Sequence, residues 1–416
     1  MKPYKLHKDL KLGVASASTQ IEGDINNNSF YEFSLIKGRI KDDSTPFVGN
    51  QHYKLYREDI ELMSKMHIEI YRMSIEWSRL ESKEGEFDEA VMQHYIDEIS
   101  LLNEEGISVL ITLHHFSNPV WYEKKGAFTK SQNIDYFLEY VEYFAQHIKG
   151  KANDFCTINE PNIYAMSSYF LGKWPPAKKS LKLARVVAHN LAISHIEAYR
   201  ILHREIPECH VGFANHFVYL APKSSHNIFD KMEAFLMRYL FQDAIMKAMT
   251  QGKRTRLLGS LKQDKGKYYD FIGINYYMRN EVHKFDVKPG EKGEKNDLGW
   301  EIYPEGLRLL CQKLHKQYGG DIYITENGIC DAKDKIRPHY IYSHVKAISD
   351  LDYVKRYYHW TFIDNWEWLE GQTAKFGLVD LNYETQERTI RKSGELYTEL
   401  IDNHAFTSEM INKYFS

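Results

Sequence analysis

Short β-rich runs, several of them nearly continuous in apolar residues, recur eight times along the chain, and an amphipathic segment follows each of them. A continuous run such as residues 107–113 is typical of a strand that is buried on both faces of a parallel sheet. The predicted strands span residues 10–17, 69–76, 107–113, 153–159, 209–216, 270–277, 321–326 and 354–363.

Apolar residues at helical spacing predict helices between these strands. In residues 52–66 the apolar stripe runs from Tyr53 to Met63. The helix over residues 88–103 begins at Asp88, whose side chain can cap the first turn. Further helices are predicted over residues 134–148, 181–202, 228–249 and 304–315.

Repeated strand–helix units predict an α/β architecture with parallel strands. Eight units fit a (β/α)8 TIM barrel, and we expect residues 1–416 to form one barrel domain. The alternative is a doubly wound open sheet, but neither GxGxxG nor a P-loop motif occurs. The polar stretch at residues 288–296 is predicted to be a mobile surface loop of the same domain.

Composition excludes several classes of protein. Apolar residues make up 43% and charged residues 27% of the chain, which is typical of a globular protein. The net charge of −3 argues against a nucleic-acid partner. No apolar stretch approaches the ~18 to 20 residues of a membrane span, and no signal peptide is visible, so we expect no membrane partner. Four scattered cysteines without zinc or redox spacing favour a reduced, cytoplasmic protein.

Polar and aromatic residues are concentrated where the predicted strands end, which is where a barrel places its active-site groups. Such groups include Gln20, Arg72, His115, Asn159, His216, Asn275, Tyr277, Glu326, Trp360 and Glu367. Many hydrogen-bonding groups together with aromatic faces are what a sugar requires. The aromatic content of 14% is high, and most of it is interpreted as core.

Two glutamates stand out among these groups. Glu160 follows strand 153–159 and precedes Pro161, which ends the strand, and Glu326 ends strand 321–326 before a turn. Strands four and seven of an eight-stranded ring can face each other across the barrel mouth. Such a pair of carboxyl groups is the chemistry of glycoside hydrolysis, in which one donates a proton and the other acts as nucleophile or base.

Three other kinds of chemistry have weaker support in the sequence. His114 and His115 are adjacent on a strand and point to opposite faces, so a two-histidine metal site is not expected. No GxSxG motif marks a serine nucleophile, and Cys156 is expected to pack inside the barrel. Arg72 is costly to bury without a partner, and Glu326 is its natural partner.

Seven segments in chain order resemble motifs of glycoside hydrolase family 1, the β-glucosidase family. They are residues 13–23 (GVASASTQIEG), 71–79 (YRMSIEWSR), 112–116 (TLHHF), 157–161 (TINEP), 300–307 (WEIYPEGL), 324–328 (ITENG) and 364–368 (DNWEW). One such match is weak, but seven in the correct order are very specific. The resemblance implies a barrel enzyme that needs no cofactor or metal and acts on a small β-glycoside or oligosaccharide.

The resemblance also implies a role for each matching residue. Glu160 would be the general acid/base and Glu326 the nucleophile, which Arg72, Tyr277 and Asn275 would support. The residues implied to bind the sugar are Gln20, His115, Asn159, Glu367 and Trp368, with Trp360 as the stacking floor and Trp300 on the aglycone side.

The two glutamates need different protonation states, which their surroundings must supply. Arg72 and the Tyr277 hydroxyl group favour an ionised Glu326, and that charge favours a protonated Glu160. Once Glu326 carries the sugar it is neutral, and Glu160 can then act as a base on water. We therefore expect a two-step double displacement with retained configuration.

The residues around Glu367 bear on the choice of sugar. Members of the family that act on 6-phosphoglycosides have a Ser near this position and a Lys and a Tyr shortly after it. Here Ala374 and Phe376 stand where that Lys and Tyr would be. A carboxylate repels phosphate and accepts hydrogen bonds from hydroxyl groups. We expect an exo-acting enzyme for unphosphorylated glucosides, galactosides or fucosides.

Alternatives to this function stay open. They are an exo-β-mannosidase, a 6-phospho-β-glycosidase, a transglycosylase and a non-catalytic sugar-binding barrel. Phe116 and Thr19 depart from the family pattern, and the loops at residues 174–176 and 331–337 look short. The aglycone preference is therefore not carried over from the family, and the sequence contains no signal for an oligomeric state.

Overall fold

The structure is a computed structural model that describes residues 1–415, and it contains a closed barrel of eight parallel strands. The strands are β1 (Lys11–Ala15), β2 (Ile70–Ser74), β3 (Ser108–His114), β4 (Asp154–Asn159), β5 (His210–Pro222), β6 (Phe271–His283), β7 (Asp321–Asn327) and β8 (Val354–Trp360). Each pairs in parallel with its neighbours in chain order, and β8 pairs with β1 to close the ring. The predicted TIM barrel is confirmed, and each predicted strand overlaps an observed one.

A helix follows each strand. These helices are α1 (His52–Lys65), α2 (Glu89–Glu104), α3 (Ile134–Ile148), α4 (Leu181–Glu205), α5 (Ile228–Arg238), α6 (Pro304–Tyr318), α7 (Arg337–Ile348) and α8 (Lys392–Asn403). Shorter helical segments are Ser18–Ile21, Ser29–Ser34, Trp77–Leu80, Val120–Lys125, Ala127–Thr129, Ser131–Asn133, Pro161–Tyr164, Ala165–Phe170, Tyr239–Asp243, Ala244–Gln251, Trp368–Glu370 and Ser408–Phe415. Short strands outside the barrel are Tyr4–Lys5, Asp286–Pro289, Val379–Leu381, Arg388–Ile390 and Ala405–Phe406.

The predicted helices are confirmed over α1 to α4 and α6. The Asp88 carboxylate accepts hydrogen bonds from two backbone N–H groups of the first turn of α2, as predicted. The helix predicted over residues 228–249 is instead interrupted, because the π-helical segment Tyr239–Asp243 separates α5 from the helix that follows.

Helices α7 and α8 lie outside the predicted set. Pro338 and several β-branched and aromatic residues hide the helical pattern of α7, most of which is buried. Gly394 in the first turn of α8 weakens its local helix signal in the same way. Packing against the barrel, rather than local preference, decides both segments.

The polar stretch at residues 288–296 forms the predicted surface loop from residue 290 onward, but it begins inside a strand. Its first two residues belong to the strand Asp286–Pro289, which pairs antiparallel with the end of β6. Farther on, the Lys292 backbone N–H donates to the buried Glu301 carboxylate at 3.0 Å. The loop is thus hydrogen-bonded to Glu301, which precedes helix α6.

The barrel interior below the strand ends is filled by side chains from alternate positions of the strands. Ile70, Leu110 and Cys156 belong to this cluster, as do Phe271 and Tyr323, whose rings stack with centroids 4.2 Å apart. Cys156 therefore packs inside the barrel, as predicted. This filled layer supports the polar groups that lie above it.

A buried ion cluster ties α1 to α2. His52 Nδ1 lies 2.8 Å from Asp59 Oδ2, and His52 Nε2 lies 3.0 Å from Glu98 Oε1. Arg388 completes the cluster with a 2.8 Å hydrogen bond to Asp59. Burial alone lowers the pKa of His52, but the two carboxylates outweigh burial and raise it to about 10.

Candidate active site

Glu160 lies at the point where β4 turns into a short helix. Its φ of 41° lies in the left-handed region, which residues other than glycine rarely adopt. Pro161 follows it as the first residue of the helix Pro161–Tyr164. Phe116 and Trp368 also have positive φ values, of 68° and 50°. Strained residues of this kind are held by their surroundings and cluster at functional sites.

One oxygen of Glu160 is held by two neighbours. Oε1 lies 2.8 Å from His216 Nδ1 and accepts a 2.9 Å hydrogen bond from Asn275 Nδ2. The side chain is almost completely buried. Two donors on Oε1 leave Oε2 as the oxygen that can carry and transfer a proton.

Glu326 is the penultimate residue of β7, across the barrel from Glu160, and both of its carboxylate oxygens are held. Arg72 Nη1 donates to Oε1 at 2.6 Å, and the Tyr277 hydroxyl group donates to Oε2 at 2.6 Å. Arg72 is fully buried and forms the predicted ion pair with Glu326. These charge-assisted hydrogen bonds fix the orientation of the Glu326 carboxylate.

The pKa of Glu326 reflects several opposing effects. Burial is the largest effect and, with the nearby charge of Glu160, raises the pKa to about 7, although Arg72 and the Tyr277 hydrogen bond lower it. Arg72 and Tyr277 thus act on the pKa of Glu326 in the predicted direction, but removal of the carboxyl group from water outweighs them. Burial and the Glu326 charge raise the pKa of Tyr277 well above its usual value, so this hydroxyl group stays a donor.

Asn159 connects the arginine to the predicted sugar-binding histidine. Its Oδ1 accepts a 2.7 Å hydrogen bond from Arg72 Nη2, and its Nδ2 lies 3.0 Å from His115 Nε2. Because the Asn159 amide donates to Nε2, the neutral imidazole of His115 carries its proton on Nδ1. Burial and then the charge of Arg72 hold the pKa of His115 well below its usual range, so the ring is neutral.

Asn275 contacts a different glutamate from the one predicted. Its Nδ2 donates to Glu160 and, at 3.0 Å, to Asn159 Oδ1, while its Oδ1 accepts from Thr325 Oγ1 at 2.7 Å. Asn275 therefore holds Glu160 directly and reaches Glu326 only indirectly, through Thr325 and through Asn159 and Arg72. The strand position was predicted, but the direction of the side chain depends on the register between β6 and β7.

Gln20 and Trp360 surround Glu367. Gln20 Nε2 donates to Glu367 Oε2 at 3.2 Å and to the Trp366 carbonyl oxygen at 3.0 Å. Trp360 Nε1 donates to the same Glu367 oxygen at 3.4 Å. Part of the Glu367 side chain reaches solvent, but its carboxyl group is enclosed, and this burial raises its pKa to about 8.

Two polar atoms of this region point to a ligand. Within residues 1–415, the buried Oε1 of Gln20 and Nδ1 of His115 have no hydrogen-bonding partner. Buried polar groups are normally paired, so both atoms are suited to the hydroxyl groups of a ligand. Gln20 Oε1 is an acceptor, and His115 Nδ1 is a donor because the neutral ring carries its proton there.

Aromatic rings enclose the same region. The rings of Trp360 and Trp368 both lie nearly parallel to His115, with centroids 6.0 Å from it. Phe116 contacts Trp368 at 5.3 Å, so it occupies the site despite its departure from the family pattern. Trp300 lies 5.8 Å from the Tyr277 ring, on the Glu326 side.

His216 lies at a strand end, and the sequence alone indicates no specific role for it. It ends the barrel portion of β5, stacks on Tyr277 with centroids 6.0 Å apart, and contacts Glu160. Burial lowers the pKa of His216, but the Glu160 charge and hydrogen bond outweigh burial and raise it. A titratable side chain at a strand end is the sequence feature that could have marked His216 as a site residue. Only the structure shows that it contacts Glu160.

The two adjacent histidines do not form a metal site. His114 turns away to contact Asn118 Oδ1 at 2.9 Å, whereas His115 faces Asn159. Across the described part of the chain, no group of three or more His, Cys, Asp or Glu side chains is placed to hold a metal ion. None of the helices formed by residues 1–415 has the length and apolar character needed to cross a membrane.

The chain is similar in sequence to known proteins over nearly its whole length. The sequence profile of glycosyl hydrolase family 1 matches residues 3–406. The chain is 33% identical to β-glucosidase A of Acetivibrio thermocellus, over 96% of this chain and 98% of the relative.

Solved structures show the same architecture. The β-glycosidase from Pyrococcus horikoshii superposes with a TM-score of 0.91 at 35% identity, covering 99% of this chain and 98% of that one. A β-glucosidase from Thermotoga maritima in complex with glucoimidazole gives a TM-score of 0.91 at 27% identity, covering 97% of this chain and all of the other.

Proposed function

The chain belongs to glycosyl hydrolase family 1 and is a retaining β-glycosidase, and we propose that Glu326 is its nucleophile and Glu160 its general acid/base. The observation that carries this assignment is the different environment of the two carboxyl groups. Both oxygens of Glu326 are held by Arg72 and Tyr277, whereas Glu160 keeps Oε2 available. The first arrangement suits an oriented anion, and the second suits a group that moves a proton.

In the first step, a Glu326 oxygen attacks the anomeric carbon of the bound sugar. The bond from that carbon to the leaving oxygen breaks, and the proton on Glu160 Oε2 passes to the leaving oxygen. The products are the free aglycone and a sugar joined to Glu326 by an ester bond. Glu160 is left as a carboxylate.

In the second step, water attacks the same carbon from the face that the aglycone left. Glu160 takes a proton from this water, and the ester bond to Glu326 breaks. Two inversions restore the original configuration of the sugar. Glu326 regains its negative charge, which Arg72 Nη1 at 2.6 Å stabilises.

We propose that the sugar lies against Gln20, His115, Asn159, Glu367 and Trp368, with Trp360 as the floor. The unpaired Gln20 Oε1 and His115 Nδ1 support this placement, since each can pair with a sugar hydroxyl group. The apolar faces of Trp360 and Trp368 can cover a ring that lies beside them. Trp300, beside Tyr277, is assigned to the aglycone side.

We propose an unphosphorylated β-glucoside as the principal substrate, with galactosides and fucosides as further candidates. Burial raises the pKa of the Glu367 carboxyl group to about 8, so at neutral pH this group repels a phosphate less than an ionised carboxylate would. The side chains at the positions where phosphate-binding members have a Lys and a Tyr support the proposal. Lys375 Nζ lies 3.7 Å from Asp364 Oδ2, and Ala374 and Phe376 are buried apolar side chains.

A panel of aryl β-glycosides tests the choice of sugar. It comprises glucoside, galactoside, fucoside, mannoside and 6-phosphoglucoside with one common aryl group. We expect the highest kcat/KM for the glucoside and none measurable for the 6-phosphoglucoside. A preference for the mannoside or the phosphorylated sugar would overturn this part of the proposal without affecting the assignment of the two glutamates.

Azide tests the two glutamate roles separately. In Glu326→Ala, azide fills the space of the nucleophile and attacks directly, so we expect only the α-glycosyl azide. In Glu160→Ala with a good leaving group, azide attacks the glycosyl-enzyme and gives the β-glycosyl azide. The same azide anomer from both variants, or near-normal hydrolysis by Glu326→Ala, contradicts the assignment.

We also propose that the enzyme works in the cytoplasm. All four cysteines are free and buried thiols, which suits a reducing compartment. Fractionation of the source cells followed by an activity assay tests this location, and activity confined to the medium would contradict it.

A further inference from the structure

Helix α5 presents its apolar side chains to solvent. Large apolar residues recur along one face of it and lie between 40% and 69% exposed. This surface, the apolar stripe, consists of Ile228, Phe229, Met232, Phe235 and Leu236, together with Phe285. Phe285 lies beside the helix, because its backbone N–H contacts Glu233 Oε2 at 3.4 Å.

Helix α5 turns its apolar face to solvent, whereas a surface helix usually turns that face to the core. The residues of this helix that are buried are Asp230 and Ala234, which occupy the opposite face from the stripe. Asp230 anchors that face by accepting a 3.0 Å hydrogen bond from the Ser224 backbone N–H and contacting His283 Nδ1 at 2.9 Å. Polar contacts therefore fasten the helix to the barrel while its apolar face stays uncovered.

The stripe is large for a protein that stays monomeric. Taking roughly 200 Å² for a fully exposed large apolar side chain, the stated exposures amount to on the order of 700 Å². The largest apolar patch of a typical monomer covers about 300–600 Å². A stable interface of standard size buries about 800 Å² per partner, so the stripe with its polar margin matches one such interface.

A protein partner fits this surface better than a lipid surface does. Helices that bind membranes carry an excess of Lys and Arg on their polar face. Here α5 has two acidic residues, Asp230 and Glu233, against two basic ones, Lys231 and Arg238, and so has no net charge. A second copy of the chain carries the same stripe. Two copies related by a two-fold axis can therefore bury their stripes against each other, since an isologous contact uses the same patch on both subunits.

We propose that the apolar stripe is the interface of a two-fold symmetric homodimer. The π-helical segment after α5 connects this interface to the active site. The Phe241 carbonyl oxygen accepts a 3.2 Å hydrogen bond from Asn162, and the Phe241 ring lies 6.2 Å from that of His216. The dimer contact therefore adjoins the wall of the barrel mouth that carries Glu160 and His216.

Sedimentation velocity of the full chain, from nanomolar to high micromolar concentration, tests this proposal. We expect the wild type to sediment with twice the protomer mass. A double variant, Phe229→Glu with Phe235→Glu, should sediment as a monomer over the same range and keep its glycosidase activity, which shows that it is folded. The matched control is Leu35→Glu with Ile36→Glu, which adds the same charge at comparably exposed apolar residues elsewhere and should stay dimeric.

Several outcomes would overturn the proposal. A wild type that is monomeric at all concentrations contradicts it, as does a dimer that persists in the Phe229/Phe235 variant. Co-sedimentation with phosphatidylcholine vesicles, with and without phosphatidylglycerol, provides the remaining test. A monomeric wild type that binds these vesicles, and loses binding in the same double variant, would assign the stripe to lipid instead.

Discussion

Replacing Tyr277 by Phe removes one hydrogen bond from the nucleophile and little else. The hydroxyl group donates to Glu326 Oε2 at 2.6 Å, while the ring packs against His216, Trp300 and Phe376, and Phe keeps those contacts. A hydrogen bond to a charged group contributes about 1.5–3 kcal/mol. We therefore expect kcat/KM to fall by about 10- to 150-fold.

The same variant should change the pH dependence in a defined direction. The Tyr277 hydrogen bond lowers the pKa of Glu326, so its loss raises that pKa above its value of about 7. At 1.36 kcal/mol per pKa unit, the same energy corresponds to about one to two pH units. The assay is kcat/KM for an aryl glucoside as a function of pH, whose acidic limb reports the ionisation of the free enzyme. We expect this limb to move to higher pH.

A matched variant separates this effect from the general cost of removing a buried hydroxyl group. Tyr276 is the next residue, is fully buried, and donates to the Tyr303 carbonyl oxygen at 2.6 Å, away from Glu326. Tyr276→Phe should leave the acidic limb in place. An unchanged limb together with less than a twofold loss of kcat/KM in Tyr277→Phe would refute the role given to this hydroxyl group.

Three further substitutions have distinct expected results. His216→Phe removes a donor to Glu160, so kcat/KM should fall more for glycosides with poor leaving groups than for dinitrophenyl glycosides; equal losses would contradict this. Glu367→Ala should raise KM for the glucoside about tenfold or more by removing a buried hydrogen-bonding group, and an unchanged KM would argue against its contact with sugar. His52→Gln should lower the free energy of unfolding by about 3–5 kcal/mol, because it leaves the buried Glu98 carboxylate without its cation, while Asp59 keeps only Arg388. The stability that His52 contributes is complete below its unfolded pKa of about 6.5 and is lost as pH rises toward about 10, so chemical denaturation across this window should show a decline that the variant lacks.

The eight barrel strands could be predicted because short β-rich runs, several of them nearly continuous in apolar residues, alternate with amphipathic helical segments. Helix α5 illustrates the limit of such patterns. Its apolar residues at helical spacing predict a helix, but the pattern does not tell whether the apolar face meets the barrel or solvent. The buried Asp230, held by His283 and the Ser224 backbone, reverses the expected orientation. Those partners come from other elements, so the orientation depends on tertiary contacts.

In the candidate site, too, the positions of residues could be predicted from the sequence, but their contacts could not. The sequence places Glu160, Glu326 and Arg72 at strand ends, and burial of an arginine predicts its carboxylate partner. Which glutamate Asn275 and His216 would contact depends on strand register and on side-chain directions at the barrel mouth. The protonation of Glu326 depends on burial, whose effect exceeds that of any single neighbour in the sequence.

Identification of the covalent intermediate tests the central assignment most directly. A fluorosugar glucoside inactivator forms a glycosyl-enzyme that hydrolyses slowly, and peptide mass spectrometry locates the sugar. The account predicts one sugar per chain, bound to Glu326. A sugar on Glu160, on Glu367 or on any other residue would contradict it, as would an enzyme that hydrolyses the matching glucoside but forms no covalent product.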